Sequence, residues 1–198
     1  MHIQSHYHQG FTLIELMVTI SIAAILLGVA IPSFTSTITS NRLTTNANEL
    51  VTALNLARSE AIKRGQQVTV RRKGTTNTQW ESGWDVFVDI NNNGSFDDTS
   101  PSTPCETNVN GSPSEDCLLR TYASLPSDYT LRSSVNYACW VAYAPTGLSK
   151  GSGTACSGGG LENDTFRLCK GSDNATSRAI IINKVGRVKV STGTTSCP

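Results

Sequence analysis

Histidine is confined to His2, His6 and His8, and none follows Gly10. A chain processed at Gly10 therefore has no imidazole for a catalytic triad or a general acid–base pair. Cysteine is absent before Cys105, and no two cysteines stand in a Cys-x-x-Cys pair. With no histidine beyond the first ten residues, that leaves little basis for a zinc site. Charge is sparse at 16%. Glu15 is the only ionisable side chain between the N-terminal histidine cluster and Arg42. Neither Lys nor Arg occurs ahead of Arg42, so the basic start of a secretory signal is missing and loop charge encodes orientation only weakly. The chain also has no glycine-rich phosphate loop and no metalloprotease motif. The remaining serines lie in turns without a matched base. No catalysis and no cofactor are expected.

What remains at the N-terminus is an apolar run from Phe11 to Phe34, broken only by Glu15. As a helix it would be about 36 Å long at about 1.5 Å per residue, enough to cross a hydrocarbon core of about 30 Å. A lone acid in such a segment is costly to bury and marks a function by default. Its simplest role is as a carboxylate near a helix N-terminus. The one candidate processing point, Gly10, precedes the apolar run, so cleavage there would leave the helix on the mature protein.

The segment Gly10-Phe-Thr-Leu-Ile-Glu15 resembles the class III signal of type IV pilins and type II secretion pseudopilins. The resemblance implies cleavage between Gly10 and Phe11 by a prepilin peptidase, followed by N-methylation of Phe11. It implies that Glu15 pairs with the free α-amine of a neighbouring subunit's Phe11 as helices pack into a filament. It also matches Pro32 to the helix-kinking proline of pilins. These leaders usually carry Lys or Arg, and this one has only its histidines.

Beyond Pro32 the pattern becomes amphipathic. Leu43, Ala47, Leu50, Leu54, Ala57 and Ala61 recur at spacings of three and four, with Asn48, Asn55, Ser59 and Lys63 opposite. Gly65 is the expected stop. The stripe reads as a face docked on a globular head, with a coiled-coil seam as the alternative.

After Gly65, Gly, Ser, Thr and Asn dominate, and the apolar residues come in short alternating bursts. Strands are expected over Gln67–Arg71, Trp84–Asp89, Leu118–Tyr122, Tyr129–Ser133, Cys139–Ala144, Phe166–Cys169, Ala179–Asn183 and Arg187–Ser191. The fold class is α+β: a long N-terminal helix packed on an antiparallel β-rich head. The chain divides into a leader (1–10), a transmembrane or filament-core helix (11–34), its amphipathic continuation (35–65) and a disulfide-bonded head (66–198). All six cysteines lie in the head and read as disulfides of an oxidising compartment. Six allow fifteen pairings, and sequence alone does not choose. The expectation is Cys105–Cys117 and Cys139–Cys156 as loop staples, with Cys169–Cys197 clamping the tail.

Within the head, three segments extend the resemblance to the FimT/FimU-like, H-type pseudopilin group. They are Leu56-Ala-Arg-Ser-Glu-Ala-Ile-Lys-Arg-Gly65, Gly83-Trp-Asp-Val-Phe-Val-Asp89 and Val185-Gly-Arg-Val-Lys-Val190. The likeness is strong over 10–72 and 166–190 and poor over 91–160.

Asp89, Asn91, Asn93, Gly94 and Asp97 occupy positions one, three, five, six and nine of a calcium-loop pattern. Position twelve is Ser100 rather than a bidentate carboxylate, and the preferred reading is a strand ending in a polar Asn-Gly turn. Charge is segregated along the chain. Asp89, Asp97, Asp98, Glu106, Glu115, Asp116 and Asp128 face one base, Arg120. From Asp164 onward, Arg167, Lys170, Arg178, Lys184, Arg187 and Lys189 outweigh Asp164 and Asp173, a balance of +4. Arg187 and Lys189 would share one strand face and could meet DNA phosphates, with Lys184 and Arg178 nearby in sequence. A solvated strand edge guarded by Lys is the plainer reading. Gly186-Arg187-Val188-Lys189 is similar to the Gly-Arg-x-Arg motif of DNA-binding FimT pilins, with Lys in place of the second Arg, which removes the planar fork.

The reading is a minor pilin that starts or caps a type IV pilus, serving adhesion or twitching motility. The alternatives are a DNA-binding pilin of natural transformation and an H-type pseudopilin of type II secretion. Partners implied by the resemblance are other minor and major pilins, the prepilin peptidase, the inner-membrane assembly platform and, under the DNA reading, duplex DNA. The helix would hold the protein in the bacterial inner membrane with a periplasmic head until extraction into the pilus.

Overall fold

The computed structural model describes residues 10–97, 105, 115–193 and 196–197. The described residues fall into two compact units, one up to residue 41 and one from residue 42 onward. One helix, α1 (Leu13–Arg64), runs through both without interruption. Pro32 lies inside it and lacks the N–H that would donate to the carbonyl four residues earlier.

In the first unit the large apolar side chains (Phe, Leu, Ile, Met and Val) from Phe11 to Ile38 are exposed. By length and composition this part of the helix can span a membrane. An apolar surface of that extent calls for a non-aqueous neighbour.

In the second unit α1 buries Leu43, Ala47, Leu50, Leu54, Ala57 and Ala61, joined by Ala53. Asn48, Asn55, Ser59 and Lys63 stay exposed on the other side. The stripe is therefore a docking face of the head. The helix stops at Gly65, which takes φ +65° while its N–H still donates to the Ala61 carbonyl at 3.0 Å. Glycine reaches that left-handed region without the Cβ penalty.

Among the described residues nine strands follow: β1 (Val68–Arg72), β2 (Trp84–Val88), β3 (Cys117–Tyr122), β4 (Tyr129–Arg132), β5 (Trp140–Tyr143), β6 (Ser149–Gly151), β7 (Asp164–Lys170), β8 (Arg178–Ile182) and β9 (Val188–Thr192). They form a five-stranded sheet in the order β3-β2-β1-β5-β6 and a four-stranded sheet in the order β4-β7-β8-β9. Every neighbouring pair is antiparallel. Strand β6 falls outside the expected set because Ser-Lys-Gly carries no apolar signal. It is held instead by polar burial: Ser149 is fully buried, and its Oγ lies 2.7 Å from the Glu162 carbonyl and 2.8 Å from that of Asn183.

The main core joins the helix stripe to Val68, Val70, Trp80, Trp84, Val86, Leu131, Phe166, Leu168, Ile180 and Ile182. Trp80 meets the Phe166 ring edge-on at 4.9 Å and donates from Nε1 to the Tyr137 carbonyl at 3.0 Å. Trp84 stacks on Tyr122. A second, smaller cluster lies apart, made of Ala138, Cys139, Trp140 and Ala142 with Cys156 against them. The disulfides are Cys105–Cys117, Cys139–Cys156 and Cys169–Cys197. Each can contribute about 2–4 kcal/mol by restricting the unfolded chain.

Tyr137 and Tyr143 are fully buried, and burial pushes both phenols far above their ordinary value. The native state therefore holds their protons where the unfolded chain releases them. Their stabilising contribution is complete below pH about 10 and is lost above it, at about 1.4 kcal/mol per tyrosine per pH unit. In an alkaline titration followed by phenolate absorbance, these two are expected to ionise only together with unfolding. Smooth ionisation of every tyrosine with the head still folded would refute this.

Candidate functional site

Three surfaces carry the candidate residues. At the N-terminus, Gly10 and Phe11 are exposed ahead of α1. Thr12 caps the helix: its Oγ1 accepts from the Glu15 N–H at 3.3 Å. Glu15 Oε2 reaches back to accept from the Thr12 N–H at 2.9 Å and from Thr12 Oγ1 at 2.8 Å. This is a reciprocal capping box, Thr-x-x-Glu, satisfying backbone donors that a helix start leaves open. The sequence signal for this box was present in Thr12-Leu-Ile-Glu15. The leader residues Met1 to Gln9, with His2, His6 and His8, lie outside the described residues.

The second surface is the loop after β2. Asp89 is buried, with Oδ2 accepting from Gln67 Nε2 (2.9 Å), Thr69 Oγ1 (2.8 Å) and the Gly94 N–H (2.9 Å), and Oδ1 accepting from the Asn93 N–H (3.1 Å). Asp97 Oδ2 accepts from Asn91 Nδ2 at 2.9 Å and Asn93 Nδ2 at 2.6 Å, and these bonds hold its carboxyl below the usual range. Asp116 accepts from the Ile90 and Asp97 N–H groups at 2.8 and 2.9 Å, while burial raises its pKa. Gly94 takes φ +73° with its Cα against the Trp140 indole, where a Cβ would overlap the ring. The carboxylates thus serve as acceptors that shape a tight polar turn. Among the described residues, no group of three or more His, Cys, Asp or Glu converges as a metal cage. Asp98, Ser100 and Glu106 lie outside the described residues.

The third surface is the β8–β9 hairpin. Lys184, Arg187 and Lys189 are exposed on it. Lys189 pairs with Ile181, which points outward, whereas Val188 and Val190 pair with the buried Ile182 and Ile180. Arg178 is different and leaves the candidate set. It is buried at 7% exposure, and its guanidinium donates to the Thr176 and Ser177 carbonyls and to Thr44 Oγ1. As the first residue of β8 it ties the sheet to the helix, so it faces inward where sequence alone suggested a surface cation.

Arg58 was not singled out from the sequence, yet it organises this hairpin. From α1 it donates through Nε to the Gly147 carbonyl at 3.1 Å and through Nη2 to the Val185 carbonyl at 3.1 Å. Gly186, at φ +77°, packs where a Cβ would fall on the Gly147 carbonyl oxygen and within 3.1 Å of Arg58 Nε. The Ala-Arg-Ser-Glu-Ala segment and the Val-Gly-Arg segment are therefore two halves of one joint. No local pattern in either segment marks the joint; only the distant carbonyl partners of Arg58 do.

Comparison with known proteins agrees with this architecture. The profile of the prokaryotic N-terminal methylation motif matches residues 5–31. Two crystal forms of the Pseudomonas aeruginosa (strain PAO1) type IV minor pilin FimU share the fold at 17% identity. One has TM-score 0.52, covering 79% of this chain and 93% of that one, and the other has 0.51, covering 78% and 97%. No curated protein matches by sequence. The profile of the type II transport protein GspH matches residues 46–186, a span that includes Arg58, the Asp89 turn and Gly186. With well over half of its length so matched, and with a fold shared with a pilin, the chain belongs to the GspH family.

Proposed function

We propose that this protein is a minor pilin, a low-abundance subunit that starts a type IV pilus or forms part of its tip. The observation that carries the reading is the methylation motif joined to an exposed apolar segment, 11–34, whose one acid, Glu15, stands at the first turn of α1. Prepilin peptidase cuts between Gly10 and Phe11, and the new N-terminal amine of Phe11 is methylated. The helix resides in the inner membrane with the head in the periplasm, and leaves through the assembly platform to pack beside other minor and major pilins. There the Glu15 carboxylate meets a neighbour's amine. The head then contacts other subunits or the environment, and none of this asks for catalysis by the chain itself.

A second reading is favoured by the exposed Lys184, Arg187 and Lys189 around the Arg58-pinned turn: the hairpin engages the phosphates of duplex DNA during uptake. A third places the same subunit in a type II secretion pseudopilus, as an H-type pseudopilin. One experiment separates them. A deletion strain is scored for twitching, natural transformation and exoprotein secretion, with the N-terminus of the native protein read by mass spectrometry. Loss of twitching with a methylated Phe11 N-terminus supports the minor-pilin reading. Loss of secretion alone transfers the protein to the secretion system, and loss of transformation with intact pili transfers it to DNA uptake. An N-terminus still carrying residues 1–10 overturns all three.

A further inference from the structure

Arg72, the last residue of β1, is only 8% exposed, and burial lowers the pKa of its guanidinium. Its acceptors are neutral dipoles: the Ala138 carbonyl at 3.0 Å, the Thr75 carbonyl at 3.2 Å, Asn77 Oδ1 at 2.8 Å and the Gly74 carbonyl. Among the described residues it takes part in no ion pair. Nη2 also lies 3.4 Å from Cys139 Sγ. A buried cation held by neutral acceptors therefore sits beside one sulfur of a disulfide. Asn77 Oδ1 stands 3.3 Å from Cys139 Sγ and 3.4 Å from Cys156 Sγ. Its orientation is fixed by Nδ2, which donates to the Thr154 carbonyl at 3.1 Å. Disulfide sulfurs carry no hydrogen, so this carbonyl oxygen has nothing to accept from them while the bond is closed. Once the bond opens, a Cys156 thiol finds an acceptor and a Cys139 thiolate finds a cation.

The other two disulfides have different neighbours. Cys117 directly follows the buried carboxylate Asp116, and Cys197 Sγ lies 3.4 Å from the Asp173 carbonyl oxygen. The guanidinium 3.4 Å from Cys139 Sγ lowers that thiol's pKa and makes it the better leaving group. Access agrees with the chemistry: Cys139 is buried at 1% exposure while Cys156 is half-buried.

We propose that Cys139–Cys156 is a thiol-exchange site, at which a dithiol reductant attacks Cys156 and Cys139 leaves as a thiolate held by Arg72. In the first step the dithiol's thiolate forms a bond to Cys156 Sγ, the protein disulfide breaks, and its electron pair departs on Cys139 Sγ. In the second, the reductant's other thiol loses its proton and attacks the mixed disulfide, releasing Cys156, which takes up a proton and is accepted by Asn77 Oδ1. The reductant ends as a disulfide, two electrons pass to the protein, and one proton goes to solvent. Cys139 and Cys156 belong to the small cluster with Ala138, Trp140 and Ala142, separate from the main core. Opening the bond therefore loosens the turns at Asn77 and Thr154 and leaves the two-sheet head folded.

The test uses the full chain in detergent under native conditions. Dithiothreitol is added stepwise, free thiols are alkylated, and peptide mass spectrometry assigns them. Cys139 and Cys156 are expected to label first, about tenfold faster than either other pair. Arg72→Met is expected to erase that lead, with Cys169–Cys197 as the internal reference. Because Arg72 is buried and that variant can fail to fold, Asn77→Asp serves as the second: a carboxylate facing both sulfurs should slow exchange at this pair alone. Earlier opening of Cys105–Cys117 or Cys169–Cys197 in the wild type, or an unaltered rate in Asn77→Asp, overturns the proposal.

Discussion

Glu15→Ala is expected to insert in the membrane like the wild type and to be missing from sheared filaments. Incorporation should fall by about a hundredfold, the scale of stranding an unpaired charge in an apolar environment. Two roles converge on this side chain, since it both completes the capping box with Thr12 and supplies the one negative charge of the apolar segment. Glu15→Gln separates them. Glutamine can still accept from the Thr12 N–H and keep the box, but it cannot neutralise an amine. If the charge is what assembly needs, the glutamine variant is excluded from filaments as fully as the alanine variant. Quantitative blotting of sheared pili against membrane fractions decides it. Wild-type incorporation of Glu15→Gln would show that only the helix start matters and would remove the amine pairing from the account.

Gly186→Ala should destabilise the head by about 3 kcal/mol. A left-handed φ costs a residue with a Cβ about 1–2 kcal/mol, and here the new methyl also falls on the Gly147 carbonyl oxygen and within 3.0 Å of Tyr143 Cε1. For a domain of this size the melting temperature should drop by about 6–12 °C. Gly171→Ala is the matched control: φ is +55°, and nothing lies within 4 Å of the added methyl. It should cost only the backbone penalty, about 1–2 kcal/mol. Equal melting of the two variants would mean that the close approach of the turns at Gly147 and Gly186 contributes nothing. A larger drop for Gly186→Ala, with Arg58→Met giving a comparable loss, would establish the joint as part of the fold's stability.

The helix and the strands were legible because they are written in period. The spacing of Leu43, Ala47, Leu50, Leu54, Ala57 and Ala61 belongs to a helix with one buried side, and those residues are buried. Alternation in Trp84-Asp-Val-Phe-Val88 and Tyr129-Thr-Leu-Arg132 belongs to strands, and β2 and β4 lie there. β6 was not legible because Ser149-Lys-Gly151 is positioned by hydrogen bonds from distant segments, which leave no local pattern. The same limit applies to Arg58 and Arg178. Both are arginines in polar surroundings, and only their distant carbonyl and hydroxyl partners show that one fastens two turns and the other faces inward. The Asp89 turn resembled a cation loop because aspartate and asparagine at alternating positions suit both a cation and a set of N–H donors; the fold supplies the donors.

Arg58 holds the 183–187 turn through main-chain oxygens alone, those of Gly147 and Val185. Every amino acid offers the same carbonyl, so the grip is blind to what stands at 184, 185 and 187. Mutation can exchange the outward-facing groups there as bits are exchanged in a chuck, without loosening the holder. Related subunits can thus diverge in what they touch while keeping an arginine on the helix and a glycine in the turn.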